Sequence, residues 1–206
     1  MKDAIMAVIR RCRVLSEAVA LVLLAGATKN SMLRKVGWFR SFASGRSVDG
    51  DGEAIPWYTY PAIRFLEGRV LCYMRVLELG GGNSTLWWAK WASMVMVIEH
   101  NPKWEKHILA SAPDNVLVNA STGYCNYHVI VVDSLDREKC TITAMVDLTD
   151  DGVIICDNSD RDNYGDAFNQ LHQNGFKRLD FWGMSPINTY ELCTSIFYRD
   201  GNCLGI

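Results

Sequence analysis

The sequence predicts an α/β fold: a doubly wound, mostly parallel sheet of seven strands behind an N-terminal helical extension. Three observations predict it. Apolar runs at 74–79, 94–99, 115–118, 128–133 and 152–156 alternate with helical patterns, as strands buried on both faces do when helices cover a parallel sheet. The first run passes at once into Gly80-Gly81-Gly82 and then Asn83-Ser84-Thr85, a strand–turn–helix junction with cap residues in place. At 206 residues and 49% hydrophobic, the chain can bury one sizeable core.

Taken in order, residues 1–35 read as helical. Lys2, Arg10, Arg11 and Arg13 precede an apolar run over 14–27, an outline that imitates a secretory signal peptide. Glu17 interrupts that run, which also falls short of the ~20 residues of a membrane-spanning helix. A retained amphipathic or core-packing helix is therefore expected, with a basic flank suited to peripheral contact with a membrane. Residues 37–56, rich in Gly, Ser and Asp, read as a loop. Residues 57–66 begin a short helix that tolerates Pro61 in its first turn. The chain thus divides into an extension over 1–54 and a main domain over 55–206. Within the domain a helix follows from about Leu86 and another over 161–173, and strands at 177–182 and 194–199 close the sheet.

Composition narrows the chemistry. A formal charge of -2 offers no general attraction to phosphate backbones, so nucleic acid is not the expected partner. The seven cysteines are scattered, odd in number and without a Cys-x-x-Cys pair, which suits reduced thiols in the cytoplasm. His107, His128 and His172 have no acidic partner in sequence, and no Ser-His-Asp or zinc-type spacing is present.

Glu78 stands on the last turn of the first strand and opens the pattern Glu-x-Gly-x-Gly. A dinucleotide-binding loop would place a further glycine where Thr85 stands, so the pattern points away from NAD. It resembles the first motif of class I S-adenosylmethionine-dependent methyltransferases. Glu99 ends the second strand, 99 − 78 = 21 residues later, where a carboxylate is suited to accept both ribose hydroxyls. His100, next to it, could lie beside the adenine or simply in a loop. Asp133 ends the fourth strand and Asp157-Asn158 the fifth, so all three open on the same crevice. Two carboxylates and an amide oxygen are hard ligands suited to Mg²⁺. The set resembles the metal site of catechol O-methyltransferase-like enzymes, where the ion lowers the pKa of a substrate hydroxyl. The alternatives are Asp133 beside the methionine moiety and Asp157-Asn158 as a helix cap.

The segments IPWYTYPAI, LGGGNSTLWWA, EHNPKW, VDSLDREKC, CDNSDRDNY and GF…DFWG…TSIFYR are similar to a bacterial group of small methyltransferases found near polysaccharide-biosynthesis genes. That resemblance covers about residues 55–200 and implies a last strand running antiparallel. It implies cofactor contacts from Glu78, Gly80, Gly81, Gly82, Asn83, Ser84, Glu99, His100 and Asp133, with Tyr60, Trp57 and Tyr58 in a flap over the site. Asp133 and Asp157 would be catalytic, and Asp133, Asp157 and Asn158 would hold the metal. The implied activity is methyl transfer from S-adenosyl-L-methionine to oxygen of a small-molecule or sugar-like acceptor, such as a glycan precursor. A catalytically silent domain that binds a partner or membrane is the alternative. One departure stands out: only about nine residues separate strands three and four, where such enzymes fit a helix and an adenine contact. A parallel crossover takes a dozen or more.

Overall fold

The computed structural model describes residues 13–24, 31–120 and 126–206. Its helices are α1 (Arg13–Leu24), α2 (Met32–Lys35), α3 (Trp38–Ser44), α4 (Tyr60–Leu66), α5 (Asn83–Ala89), α6 (Pro102–Leu109), α7 (Arg137–Ala144) and α8 (Gly165–Gln173). Its strands are β1 (Arg75–Leu79), β2 (Met94–Ile98), β3 (Val116–Val118), β4 (Tyr127–Val132), β5 (Leu148–Asp157), β6 (Lys177–Met184) and β7 (Glu191–Tyr198). The seven strands form one sheet in the order β3-β2-β1-β4-β5-β7-β6. Strands β1 to β5 pair in parallel, and β7 runs antiparallel to both β5 and β6. The expected fold class and the antiparallel last strand are both present.

Alternating residues of the central strands feed two cores. Val76, Val95 and Val129 face a cluster with Tyr58, Ile63, Trp87 and Trp88, supplied by α4, α5 and the segment before them. Leu77, Met96 and Ile130 face the other, with Leu171, Tyr164 and Phe197. Each such aliphatic side chain, fully buried, contributes about 1.5–3 kcal/mol. Trp88, completely buried, donates its indole N–H to the Tyr58 hydroxyl at 3.2 Å, so its polar atom is not stranded in the core.

Two expectations need correction. Residues 37–56 are not simply a loop, since they contain α3 and a bridge between Val48 and Ala54. Left-handed glycines at 37 and 45 bracket that helix, and the aromatic cluster of Trp38, Phe39 and Phe42 overrides the loop-like composition around it. The segment is also fastened to the sheet domain: Trp38 donates to the Asn188 carbonyl at 2.8 Å, and Asn83 donates to the Ser47 carbonyl at 2.6 Å. Helix α1 is not core-packed over its described side chains, with Leu21 67% and Val22 58% exposed. Among the described residues, no helix is long and apolar enough to cross a membrane. Strand β3 stands within a residue of its expected place, at the sheet edge, so the short β3–β4 connection is real; residues 121–125 lie outside the described residues.

Strand order reverses between β1 and β4, where an open α/β sheet forms its crevice. At that point Gly80 has φ +94, and a Cβ built on it would lie 2.5 Å from the Asp133 carbonyl oxygen. Gly80→Ala should therefore destabilise the fold by more than the ~1–2 kcal/mol of a left-handed residue alone. A guanidinium titration should show a lowered midpoint at unchanged slope; an unshifted midpoint would refute the close approach.

Candidate active site

The carboxyl ends of β1, β2, β4 and β5 open on a cavity of about 980 Å³. Its floor begins at the glycine turn. The Gly80 N–H donates to the Ile98 carbonyl and the Asp133 N–H to the Leu79 carbonyl, both at 2.9 Å, which ties the three strand ends together. A Cβ on Gly81 would strike Val97 at 2.3 Å, whereas one on Gly82 would meet only the Trp104 ring at 3.5 and 3.6 Å. Gly81 is thus packed from within, and Gly82 borders the open side.

Glu99 follows β2 and is 9% exposed. One carboxylate oxygen accepts the Gly81 N–H at 2.9 Å and the other the Asn101 N–H at 2.6 Å, so the acid braces the glycine turn from across the crevice. Each oxygen keeps a further lone pair for a ligand hydroxyl. Asn119, at the end of β3, fixes the Glu99 backbone: its amide oxygen accepts the Glu99 N–H at 2.9 Å and its NH₂ donates to the Glu99 carbonyl at 3.0 Å. Asn119 sits at φ 49, a conformation that asparagine tolerates.

Across the cavity, Asp133, Asp157 and Asn158 line one wall, as expected. The cation that faces them is Arg137, at the start of α7, whose side chain is 8% exposed. Its guanidinium donates to Asp133 at 2.5 Å and to the Asn158 amide oxygen at 3.3 Å. Asp157 accepts the Thr194 hydroxyl at 2.8 Å through Oδ1, and the Asn158 backbone N–H also favours its carboxylate. Burial, together with the negative charge of Asp133, pushes Asp157 up to about 8. Burial also raises Asp133, against the pull of the Arg137 and Arg161 guanidiniums. Of the two, Asp157 is the more enclosed and makes no hydrogen bond to the guanidinium, so it is the one held towards its neutral form.

This geometry gives the expected Mg²⁺ site no support. Two of its three ligand oxygens already accept hydrogen bonds from a buried guanidinium, and a divalent ion placed among them would face that positive charge at close range. Among the described residues, no three His, Cys, Asp or Glu side chains gather to hold a metal. The residues present do not fit the ion.

Of the other expected contacts, Gly80, Gly81, Gly82, Asn83, Ser84, Glu99 and His100 line the cavity. Asn83 is nevertheless engaged on both sides, donating to Ser47 and accepting from His107 Nε2 at 2.7 Å. Tyr60 is a correction: it is 7% exposed and packs in the core as the first residue of α4, not in the cavity. Tyr58 is buried too, so of the three aromatics only Trp57 borders the site. Glu78 is also displaced from its expected role as a direct contact. It is fully buried beneath the first turn of α5, and neither carboxyl oxygen has a hydrogen-bond partner, although the Ser84 and Thr85 hydroxyls lie near. Sequence reasoning missed Arg137, Asn119, Thr194 and Asn188. Asn119 carried a signal, an asparagine directly after a strand, and Arg137 stands only four residues from Asp133, while Thr194 and Asn188 act from far along the chain.

No protein-family model and no curated protein matches the sequence. Solved structures do match in fold. A precorrin-6y C5,15-methyltransferase from Geobacter metallireducens superposes with TM-score 0.55 at 12% identity, covering 68% of this chain and 87% of its own. A candidate O-methyltransferase from Klebsiella pneumoniae gives 0.54 at 15%, covering 89% and 97%. A tRNA (m1A58) methyltransferase from Aquifex aeolicus gives 0.51 at 16%, covering 71% of each. The chain has the Rossmann-like methyltransferase fold. At these identities the likeness is one of fold, and the acceptors of those proteins differ.

Glu78 yields a test independent of any ligand. Burial pushes its carboxyl up to about 8. An acid raised in the folded state favours folding while protonated, and that contribution is lost as pH rises from the ordinary carboxylate range through about 8. Glu78→Gln removes the loss. The variant should gain on wild type by up to about 1.4 kcal/mol per pH unit across that window. Denaturation at pH 5 and pH 9 measures it, and parallel curves would contradict the burial of an unpaired carboxyl.

Proposed function

We propose that the chain binds S-adenosyl-L-methionine in this cavity and transfers its methyl group to a hydroxyl oxygen of a small-molecule acceptor. The observation that carries the reading is the Glu99 carboxylate gripping the Gly81 amide at the mouth of a large cavity on the carboxyl edge of the sheet. Glu99 would take the ribose hydroxyls, Gly82 and Ser84 would border the methionine portion, and Trp104 and Ile98 would flank the adenine.

Bound S-adenosylmethionine supplies a sulfonium methyl, an electrophile that needs no further activation. What remains for the protein is to orient the acceptor oxygen and take its proton. Asp157 Oδ2 is the base we assign, since Oδ1 is held by Thr194. A carboxyl raised to about 8 is a stronger base, once ionised, than an ordinary one. Arg137 supplies the positive charge for which a metal ion was expected, and its pairing with Asp133 keeps that carboxylate from competing for the acceptor's proton. The proton then leaves to solvent through the open cavity.

Gly82→Val should fold as wild type does but lose S-adenosylhomocysteine binding in isothermal titration; equal affinities would rule out the cofactor placement. With an acceptor in hand, kcat/KM should rise as pH approaches about 8 and level off above it, because the base must be ionised. Asp157→Asn should cost about 10²–10⁴ in rate while S-adenosylhomocysteine still binds. Chelation with EDTA should leave the rate unchanged, and a Mg²⁺-dependent rate would restore the metal. Cofactor binding without turnover on any hydroxylated acceptor would favour the silent binding domain.

A further inference from the structure

The loop between β6 and β7 carries a constraint that neither the sheet nor the cofactor explains. Ile187 has φ 74, a left-handed conformation that a β-branched residue adopts only when its surroundings force it. The next residue, Asn188, is where the force is applied. Its side-chain oxygen accepts the Trp57 indole N–H at 2.6 Å and the buried Ser185 hydroxyl at 2.9 Å, and its carbonyl accepts the Trp38 indole N–H at 2.8 Å. An indole nitrogen can only donate, so the atom it meets must be the amide oxygen, and the orientation of the amide is fixed. The Asn188 NH₂ is left with two donors and no protein partner among the described residues, on a residue that borders the cavity beside Trp57. Trp57 and Ser185 thus hold the side-chain amide in one pose, while Trp38 holds the backbone of the same residue.

Resting on the methyltransferase reading above, we propose that Asn188 and Trp57 form the acceptor-recognition pair, and that the acceptor is a saturated ring bearing several hydroxyls, a sugar-type polyol. The ring would lie on the Trp57 indole, 38% exposed and held by its N–H, while a hydroxyl oxygen accepts from Asn188. The class follows from the polar groups that line the cavity with them. Asn188 offers two N–H donors, Arg161 offers a guanidinium without an ion pair among the described residues, and Asp157 offers a carboxyl oxygen besides the one that Thr194 holds. Neighbouring hydroxyls of a polyol satisfy all three. A flat, unsubstituted aromatic ring would cover the same indole and leave those groups desolvated and unpaired, which opposes binding.

Saturation-transfer NMR on the full chain loaded with S-adenosylhomocysteine tests this, with the methyl α-pyranosides of glucose, galactose, mannose and rhamnose as probes and catechol as the planar control. At least one pyranoside should bind. Asn188→Asp keeps the oxygen that Trp57 and Ser185 need but removes both donors, and should weaken that pyranoside at least tenfold with S-adenosylhomocysteine affinity within twofold. Trp57→Phe should bind it better than Trp57→Ala. If no pyranoside binds, or catechol alone does, the acceptor class is wrong. If Asn188→Asp binds as wild type does, the residue assignment is wrong. Failure of S-adenosylhomocysteine to bind, with pyranoside binding intact and lost in Asn188→Asp, would strike the methyltransferase reading and uphold this one.

Discussion

The structure depends on the close approach of two strand ends at the place where strand order reverses. Gly80 and Asp133 pass so near that a single methyl group between them would lie 2.5 Å from a carbonyl oxygen. Because they do, the backbone of β1 can bond to both neighbours past its last residue, and the glycine turn is set rigidly against Glu99 and Asp133. Everything chemical in the cavity is built outward from that junction. The turn presents its amides to one carboxylate, and the strand beside it delivers the other. Rigidity here is what a site for group transfer needs, since misplacement by an ångström costs far more than weak binding.

The second theme is buried charge. Glu78, Asp133 and Asp157 lie within electrostatic reach of one another in a largely enclosed region, and a single guanidinium, that of Arg137, is buried among them. One cation can keep one carboxylate ionised. The other two are driven towards their neutral forms, each raised to about 8. That division assigns roles by environment, as paired carboxyls commonly do. Asp133 holds the arginine, Asp157 is poised to exchange a proton, and Glu78 remains a liability that the fold tolerates under the first turn of α5.

Much of this was legible in the sequence, and what was not has physical reasons. The apolar runs placed the five parallel strands, with the ends of most within a residue or two, because strands buried on both faces read as continuous apolar runs bounded by polar residues. Glu99, Asp133 and Asp157 were legible because each closes a strand, and all strand ends of a parallel sheet open on one edge. Arg137 was visible only as part of a resemblance, since nothing in sequence says that a helix's first residue will turn back 21 positions short of Asn158 and fill an apparent metal site. Thr194 and Asn188 meet Asp157 and Trp57 from 37 and 131 residues away, separations at which local pattern carries no information. Tyr60 misled because an aromatic before the first strand suits a flap and a core equally well, and its place at the start of α4 turns it into the core. Helix α3 was hidden by the glycines and serines that flank it.

A crystal structure of the chain with S-adenosylhomocysteine tests the central claim most directly. The account predicts both ribose hydroxyls on the Glu99 carboxylate, the homocysteine portion along Gly82 and Ser84, and the Arg137 guanidinium still on Asp133 with no ion between them. Ligand bound elsewhere, or a metal ion standing where the guanidinium lies, would contradict it.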